Sequence, residues 1–290
     1  MTRVLVIGAG GMLGQDLVDV LSPVSARGLN RADLDITNQS AVLEACGGFD
    51  VLVNTAAYTA VDDAESNEAV AFSVNAEGAR NVALAAKAHQ ARLIHLSTDY
   101  VFDGEATTPY PVDAPTNPRS VYGASKLAGE QAITAAYPEG SIIARTSWLY
   151  GQHGSSFPRT ILQAGLSRDH LDVVRDQMGQ PTWTRDVAHM IGALITSPVT
   201  RGIFHTTNSG QASWFDFATK LFRLAGWDDK RIAPTTTSEF PRPAPRPAWS
   251  VLDHSGWEAH NLPLPRNWEE ALEDAWESGL SSLAASDSSL

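Results

Sequence analysis

Residues 4–14 read VLVIGAGGMLG, four branched apolar side chains passing directly into glycines at 8, 10, 11 and 14. A strand that is apolar at every position has to be covered on both faces, as happens in parallel sheets sandwiched between helices. Glycine after such a strand permits a tight turn and a close backbone approach. A helix opening there turns free amides and its positive dipole end towards a ligand. The turn, in the register Gly8, Gly11, Gly14 or Gly8, Gly10, Gly14, predicts a site for the pyrophosphate of a dinucleotide.

The pattern recurs along the first half. Val51–Val53, Leu93–Leu96 and Ile142–Ala144 are short branched runs, and alanine-rich helical segments cover 69–89 and 120–136. Alternation of this kind predicts an α/β fold with a doubly wound, Rossmann-type parallel sheet, and a dinucleotide-binding domain over 1–150. After Gly151 the texture changes. Helices are expected at 157–167, 185–195, 213–225 and 268–278, and strands at 171–174 and 202–206. FPRPAPRP at 240–247 is expected to be extended, because proline restricts itself and its predecessor. These elements form a smaller C-terminal substrate-binding lobe over 151–280, with 183–208 returning to the first domain and 281–290 as a flexible tail.

Composition narrows the function. The net charge of -12 argues against a nucleic-acid backbone or an anionic membrane surface as the main partner. The apolar N-terminal run is far too short to span a bilayer. The single cysteine, Cys46, permits no intrachain disulfide and fits a reducing compartment, so a cytoplasmic location is expected. No His/Cys/Asp cluster has metal-ligand spacing, so no metal site is assigned. His95 and His189 lie in apolar patterns and read as packed or capping residues.

The chain has only four lysines, and one of them, Lys126, follows Tyr122 by four residues in VYGASKLAGE. On a helix that spacing puts both side chains on one face. A phenol with a pKa near 10 is a poor proton shuttle at neutral pH, and a neighbouring cation lowers it. Lysine can in addition hydrogen-bond a ribose hydroxyl. Upstream, Ser97 and Thr98 end the fourth strand, where open α/β sheets place their ligands. A glycine turn, a strand-end hydroxyl and a Tyr/Lys helix, in this order, fit carbonyl reduction by a bound dinucleotide. Arg27 and Arg31, near the end of the second strand, favour NADPH by offering cations to a 2′-phosphate, with NADH as the alternative. Asp35 and Ile36 follow as candidate adenine contacts.

With these pieces in place the chain resembles the extended short-chain dehydrogenase/reductase superfamily and, within it, the dTDP-4-dehydrorhamnose reductase family. The match is carried by GAGGMLG at 8–14, LDIT at 34–37, NTAAYTAVDDAE at 54–65, STDYVFDG at 97–104, VYGASKLAGE at 121–130 and RTSWLYG at 145–151. It continues through RDQMGQPTWTRDVA at 175–188, GIFHTTNSGQASWFDFA at 202–218 and RPAWSVLD at 246–253.

The resemblance implies a catalytic trio of Thr98, Tyr122 and Lys126. It places the cofactor on the backbone of Gly11, Met12 and Leu13, with Asp35 and Ile36 flanking the adenine and Ala57, Tyr58 and Thr59 beyond the third strand. Thr98, Asp99 and Trp148 would contact a nucleotide-sugar whose C4 ketone is reduced, dTDP-4-dehydro-L-rhamnose giving dTDP-L-rhamnose. Tyr58 departs from the histidine of some members, which leaves its role open. Some members are Mg²⁺-linked dimers through glutamates, a ligand set with no assigned counterpart here, so both monomer and homodimer stay open. Arg175, Arg185 and Arg246 are candidates for the diphosphate, and Trp148 or Trp183 for covering the sugar or base.

Four rivals share these motifs: reduction of a neighbouring sugar such as the dihydrostreptose precursor, epimerisation, dehydration, and a non-catalytic dinucleotide-binding regulatory subunit. Dehydration is disfavoured because Tyr100 follows Asp99, where a glutamate is wanted. The complete Thr98, Tyr122, Lys126 set favours an active enzyme over a regulatory subunit.

Overall fold

A computed structural model describes residues 2–285. Strands β1 (Val4–Ile7), β2 (Ala26–Leu29), β3 (Val51–Asn54), β4 (Arg92–Thr98) and β5 (Ser141–Thr146) are joined by Gly202–His205 in one six-stranded sheet. All pairings are parallel, and from one edge the order is β2, β1, β3, β4, β5, Gly202–His205. β1 hands on to β2 on one side and is flanked by β3 on the other. The loops leaving β1 and β3 therefore diverge and open a crevice at the carboxyl end of the sheet.

The side chains of these strands alternate between two cores. Val4, Val6, Val51, Val53, Ile94 and Ile142 face the helices Met12–Val20 and Thr184–Thr196. Leu5, Ile7, Leu52, Leu93 and Ile143 face the helices Gln39–Ala45 and Ala79–Ala88 and Ile133 of the helix Val121–Ala136. Burial on both sides is what the unbroken apolar runs demand. A third core, built on Phe217, Phe222, Leu162 and Trp268, holds together the helices Phe157–Ser167, Trp214–Leu224 and Trp268–Glu277.

Several details differ from the expectations. The helix expected over 69–89 is interrupted by a π-helical turn, Ser73–Gly78. Two close approaches flank it: a Cβ on Gly129 would lie 2.2 Å from Asn75 O, and one on Gly78 2.6 Å from Ile36. His189 sits on the exposed face of its helix rather than in an apolar pattern. Ile232–Thr235 forms a strand parallel to Leu171–Val174 despite Pro234, in a two-stranded ribbon of its own; proline is tolerated where a strand lacks a second neighbour. The tail placed at 281–290 begins instead as a 3-10 turn, Leu280–Ala284, because Leu280 is buried in the third core with Leu283 and Ala284 against it. Residues 286–290 lie outside the described residues. Among the described residues no helix is long and apolar enough to cross a membrane.

Candidate active site

A cavity of about 790 Å³ fills the crevice, within the range of small-ligand sites. The β1–β2 side contributes Gly8, Gly11, Met12, Leu13 and Gly14, with Asp35 and Ile36 beyond β2. Ala57, Tyr58 and Thr59 enter after β3, and Thr98 and Asp99 after β4. Tyr122 and Lys126 come from their helix and Trp148 from the segment after β5.

The turn has the geometry its glycines permit. Gly8 has φ +89°, and a Cβ there would lie 2.6 Å from Ala56 N; a Cβ on Gly14 would lie 2.3 Å from Gly8 O. Gly11 is the N-cap of Met12–Val20, with no side chain capping it and no acid in the first turn. The first amides of that helix are left to whatever anion approaches, which fits a pyrophosphate. At the end of β2, Arg31 lines the cavity while Arg27 is exposed on the flank of the strand. Asp35 accepts from Thr37 N at 2.9 Å and from its hydroxyl at 2.8 Å. These bonds hold its carboxyl below the usual carboxylate range and commit it to its own turn. The Arg31 cation on the cavity wall fits a 2′-phosphate.

The helix Val121–Ala136 begins with Ser120 capping Gly123 N at 3.1 Å. A Cβ on Gly123 would lie 2.3 Å from Tyr100 O, so glycine is what lets the helix start press against the end of β4. That approach sets the Tyr122 ring edge-on to Tyr100 at 5.6 Å between centroids, with Thr98 beside it on the cavity wall. Burial pushes Tyr122 up to about 12, opposed by Thr98 and reinforced by Asp99. The expected lowering by Lys126 is not seen in this arrangement, because the ammonium is aimed elsewhere. Lys126 Nζ donates to Leu96 O at 2.6 Å and lies 3.4 Å from His95 Nε2. Burial brings it down to about 8, with Glu130 opposing.

Asp99 completes this end of the cavity. Its Oδ1 accepts from Thr98 Oγ1 at 2.8 Å, while its buried Oδ2 has no partner. Burial raises it to about 6, opposed by Thr98 and by the nearby Ser250 hydroxyl, whose own hydrogen bond goes to Met178 O at 3.4 Å. An orphaned, cavity-lining carboxyl oxygen beside a phenol fits recognition of a polyhydroxyl ligand. Trp148 is held with φ +46°, a conformation rare for a bulky side chain. It stacks on Trp214 at 3.5 Å between centroids and 7° between planes. A Cβ on Gly179 would fall 2.4 Å from the Trp148 ring.

The other candidates lie elsewhere. Arg185 pairs with Asp19 at 2.7 Å on the surface, and Arg175 is exposed. Arg246 spans from the proline-rich segment to Asp62 at 2.8 Å. Trp183 is packed in the third core, with Arg266 over its ring at 5.6 Å. Among the described residues no group of three His, Cys, Asp or Glu could hold a metal ion.

Sequence reasoning missed Asn75, whose amide accepts from Tyr58 N at 2.8 Å and donates to Ser125 Oγ at 2.9 Å, clamping the β3 loop to the Tyr122 helix. It also missed Trp214 and Ser250, although both lie in motifs quoted above. Asparagine in an alanine-rich helix is the one local signal that pointed to Asn75.

Comparison with known proteins decides the lineage. The family described as RmlD substrate binding domain matches residues 1–280. The chain belongs to this family. Within the RmlD family, a probable dTDP-4,6-dihydroxy-2-methyloxan-3-one 4-ketoreductase of Streptomyces antibioticus is 48% identical over 94% of this chain and 94% of its own. A dTDP-4-dehydrorhamnose reductase of Streptomyces griseus is 45% identical over 94% of this chain and 93% of its own. The crystal structure of a dTDP-4-dehydrorhamnose reductase from Bacillus anthracis in complex with NADP superposes with a TM-score of 0.91 at 38% identity, covering 96% of this chain and 100% of that one.

Proposed function

We propose that this member of the RmlD family is an NADPH-dependent oxidoreductase that reduces the C4 ketone of a dTDP-linked 4-keto-6-deoxy sugar, dTDP-4-dehydro-L-rhamnose giving dTDP-L-rhamnose. The observation that carries the reading is one cavity joining an uncapped, glycine-lined helix start to a half-buried Tyr122 and a buried Lys126 beside Thr98. The relatives named above, and the NADP complex among them, support it.

NADPH, when bound, supplies the hydride received by C4. The first-turn amides of Met12 and Leu13 would hold its pyrophosphate, beside Gly11, whose own N–H is turned onto Gly8 O at 3.0 Å, and Arg31 would hold its 2′-phosphate. Tyr122 Oη donates the proton to the carbonyl oxygen as that oxygen gains charge. A phenol held near 12 stays protonated at neutral pH, yet is still a far stronger acid than the alcohol being formed. Thr98 steadies the same oxygen by a hydrogen bond. Lys126 would hold the nicotinamide ribose and compensate the phenolate left on Tyr122. Asp99 Oδ2 and Trp148 would grip the sugar.

A second reading, reduction of a neighbouring dTDP-4-keto sugar, is favoured by the name carried by the Streptomyces antibioticus relative. Incubation with dTDP-4-dehydro-L-rhamnose and NADPH or NADH separately, with the product's stereochemistry read by NMR, tests both. Oxidation of NADPH with formation of dTDP-L-rhamnose is expected. Turnover only on another keto sugar would install the second reading. Conversion without NADPH consumption would install an epimerase. The cytoplasm, where nucleotide-sugars are assembled, is the location this reading requires.

A further inference from the structure

His95 was expected to be a packed or capping side chain. It is 1% exposed, but each of its ring nitrogens faces a polar partner. Nδ1 lies 3.0 Å from the side-chain amide nitrogen of Asn54, its register partner across β3 and β4. The orientation of that amide is not free, because Asn54 Oδ1 accepts from the backbone N–H of Ala56 at 3.1 Å. The NH₂ half therefore faces the ring, and Nδ1 must accept. A neutral imidazole that accepts on Nδ1 carries its proton on Nε2. Burial, with Lys126 reinforcing it, holds His95 well below its ordinary value, so the ring is neutral.

Nε2 lies 3.4 Å from Lys126 Nζ. An N–H directed at an ammonium sets donor against donor, whereas an N–H directed at a neutral amine meets its lone pair. We propose that His95 is a positioning residue for Lys126: Asn54 fixes its proton on Nε2, and that N–H steers the hydrogens of Nζ towards Leu96 O and the cavity while favouring the amine over the ammonium. The proposal rests on the reading that Lys126 serves Tyr122. The other titratable group bearing on Lys126 is Glu130, one turn further along the same helix. Its carboxylate is bound by Arg145 from β5 and Ser97 from β4. Asn54 and Ala56 also lie on the segment that carries Ala57, Tyr58 and Thr59 into the cavity, so the Asn54–His95 bond links that cofactor-lining segment to the lysine.

The test uses the whole protein without ligands. Four lysines make Lys126 assignable in a labelled-lysine NMR spectrum by its loss in Lys126→Met. Nitrogen shifts of His95 should show the Nε2–H tautomer with no titration between pH 5 and 9. Asn54→Asp puts an acceptor against Nδ1, which should move the proton there, leave an Nε2 lone pair for the ammonium, and raise the proton affinity of Lys126 about tenfold or more. The alkaline limb of the kcat profile, set by loss of the Lys126 charge, should move to higher pH with it. His95→Leu combined with Asn54→Asp keeps the new charge but removes the ring. Return of Lys126 to its wild-type titration in the double variant supports the proposal, and the full rise persisting there overturns it. An Nδ1–H tautomer in the wild type overturns it outright. Full reductase turnover by Lys126→Met would instead sink the reading of the site, leaving the tautomer result intact.

Discussion

Two buried cations stand close together in the fold and are treated in opposite ways. Arg145 on β5 makes a two-pronged pair with Glu130, Nε to Oε1 at 3.0 Å and Nη2 to Oε2 at 2.7 Å. It also donates to Val112 O at 3.1 Å and lies over the Phe102 ring at 5.0 Å. Lys126, four residues before Glu130 on the same helix, is given a carbonyl and an imidazole instead of a carboxylate. One carboxylate acts electrostatically on the lysine but spends its hydrogen bonds on the arginine. Arg145 is thereby a fixed strut tying β5 to the helix, and Lys126 a cation kept available for ligand chemistry.

The contrast can be broken from the strut side first. Arg145→Met strands a buried Glu130, and a loss of about 3–5 kcal/mol is expected in denaturant unfolding. A smaller loss than for Lys126→Met would show that the two roles have been exchanged. Next, Lys126→Met should lower kcat by about 100-fold or more, roughly 3 kcal/mol in the barrier. Its thermal stability at pH 7 should match or exceed wild type, because the methionine removes a poorly compensated buried ammonium.

The third prediction concerns pH. Lys126 is lowered in the folded state to about 8 from 10.5. The unfolded chain therefore binds more protons between these values, and the lysine's contribution to stability rises with pH through that window. Wild type should gain of order 2 kcal/mol relative to Lys126→Met between about pH 8 and 10.5. Parallel stability curves for the two proteins would contradict the lowered value. The smallest effect belongs to the partly exposed pair of Arg246 with Asp62: Arg246→Ala should cost below about 1 kcal/mol in unfolding. Any change in KM for the sugar nucleotide would mark the proline-rich segment as part of the substrate's path.

The cofactor half of the crevice was readable because its chemistry is local. Gly8, Gly11 and Gly14 announce a turn whose close contacts need no distant partner to be inferred, and the Tyr122–Lys126 spacing survives as a shared helix face. What was not readable depends on pairs far apart in the chain. Asn54 meets His95 across 41 residues, and Asn75 meets Ser125 across 50. The pattern that made His95 look like packing was correct about its burial and silent about its ring nitrogens. Arg185 and Trp183 stand outside the cavity lining for a related reason: the residues they meet, Asp19 and Arg266, are remote in sequence.

The Trp148–Trp214 stack makes the mouth of the crevice its own optical reporter. Indoles packed this closely and nearly in parallel couple their electronic transitions, so the pair should dominate the near-ultraviolet circular dichroism of a chain with eight tryptophans. A nucleotide-sugar that displaces one ring from the other would register as a collapse of that signal before any hydride moves, giving a direct clock for substrate arrival.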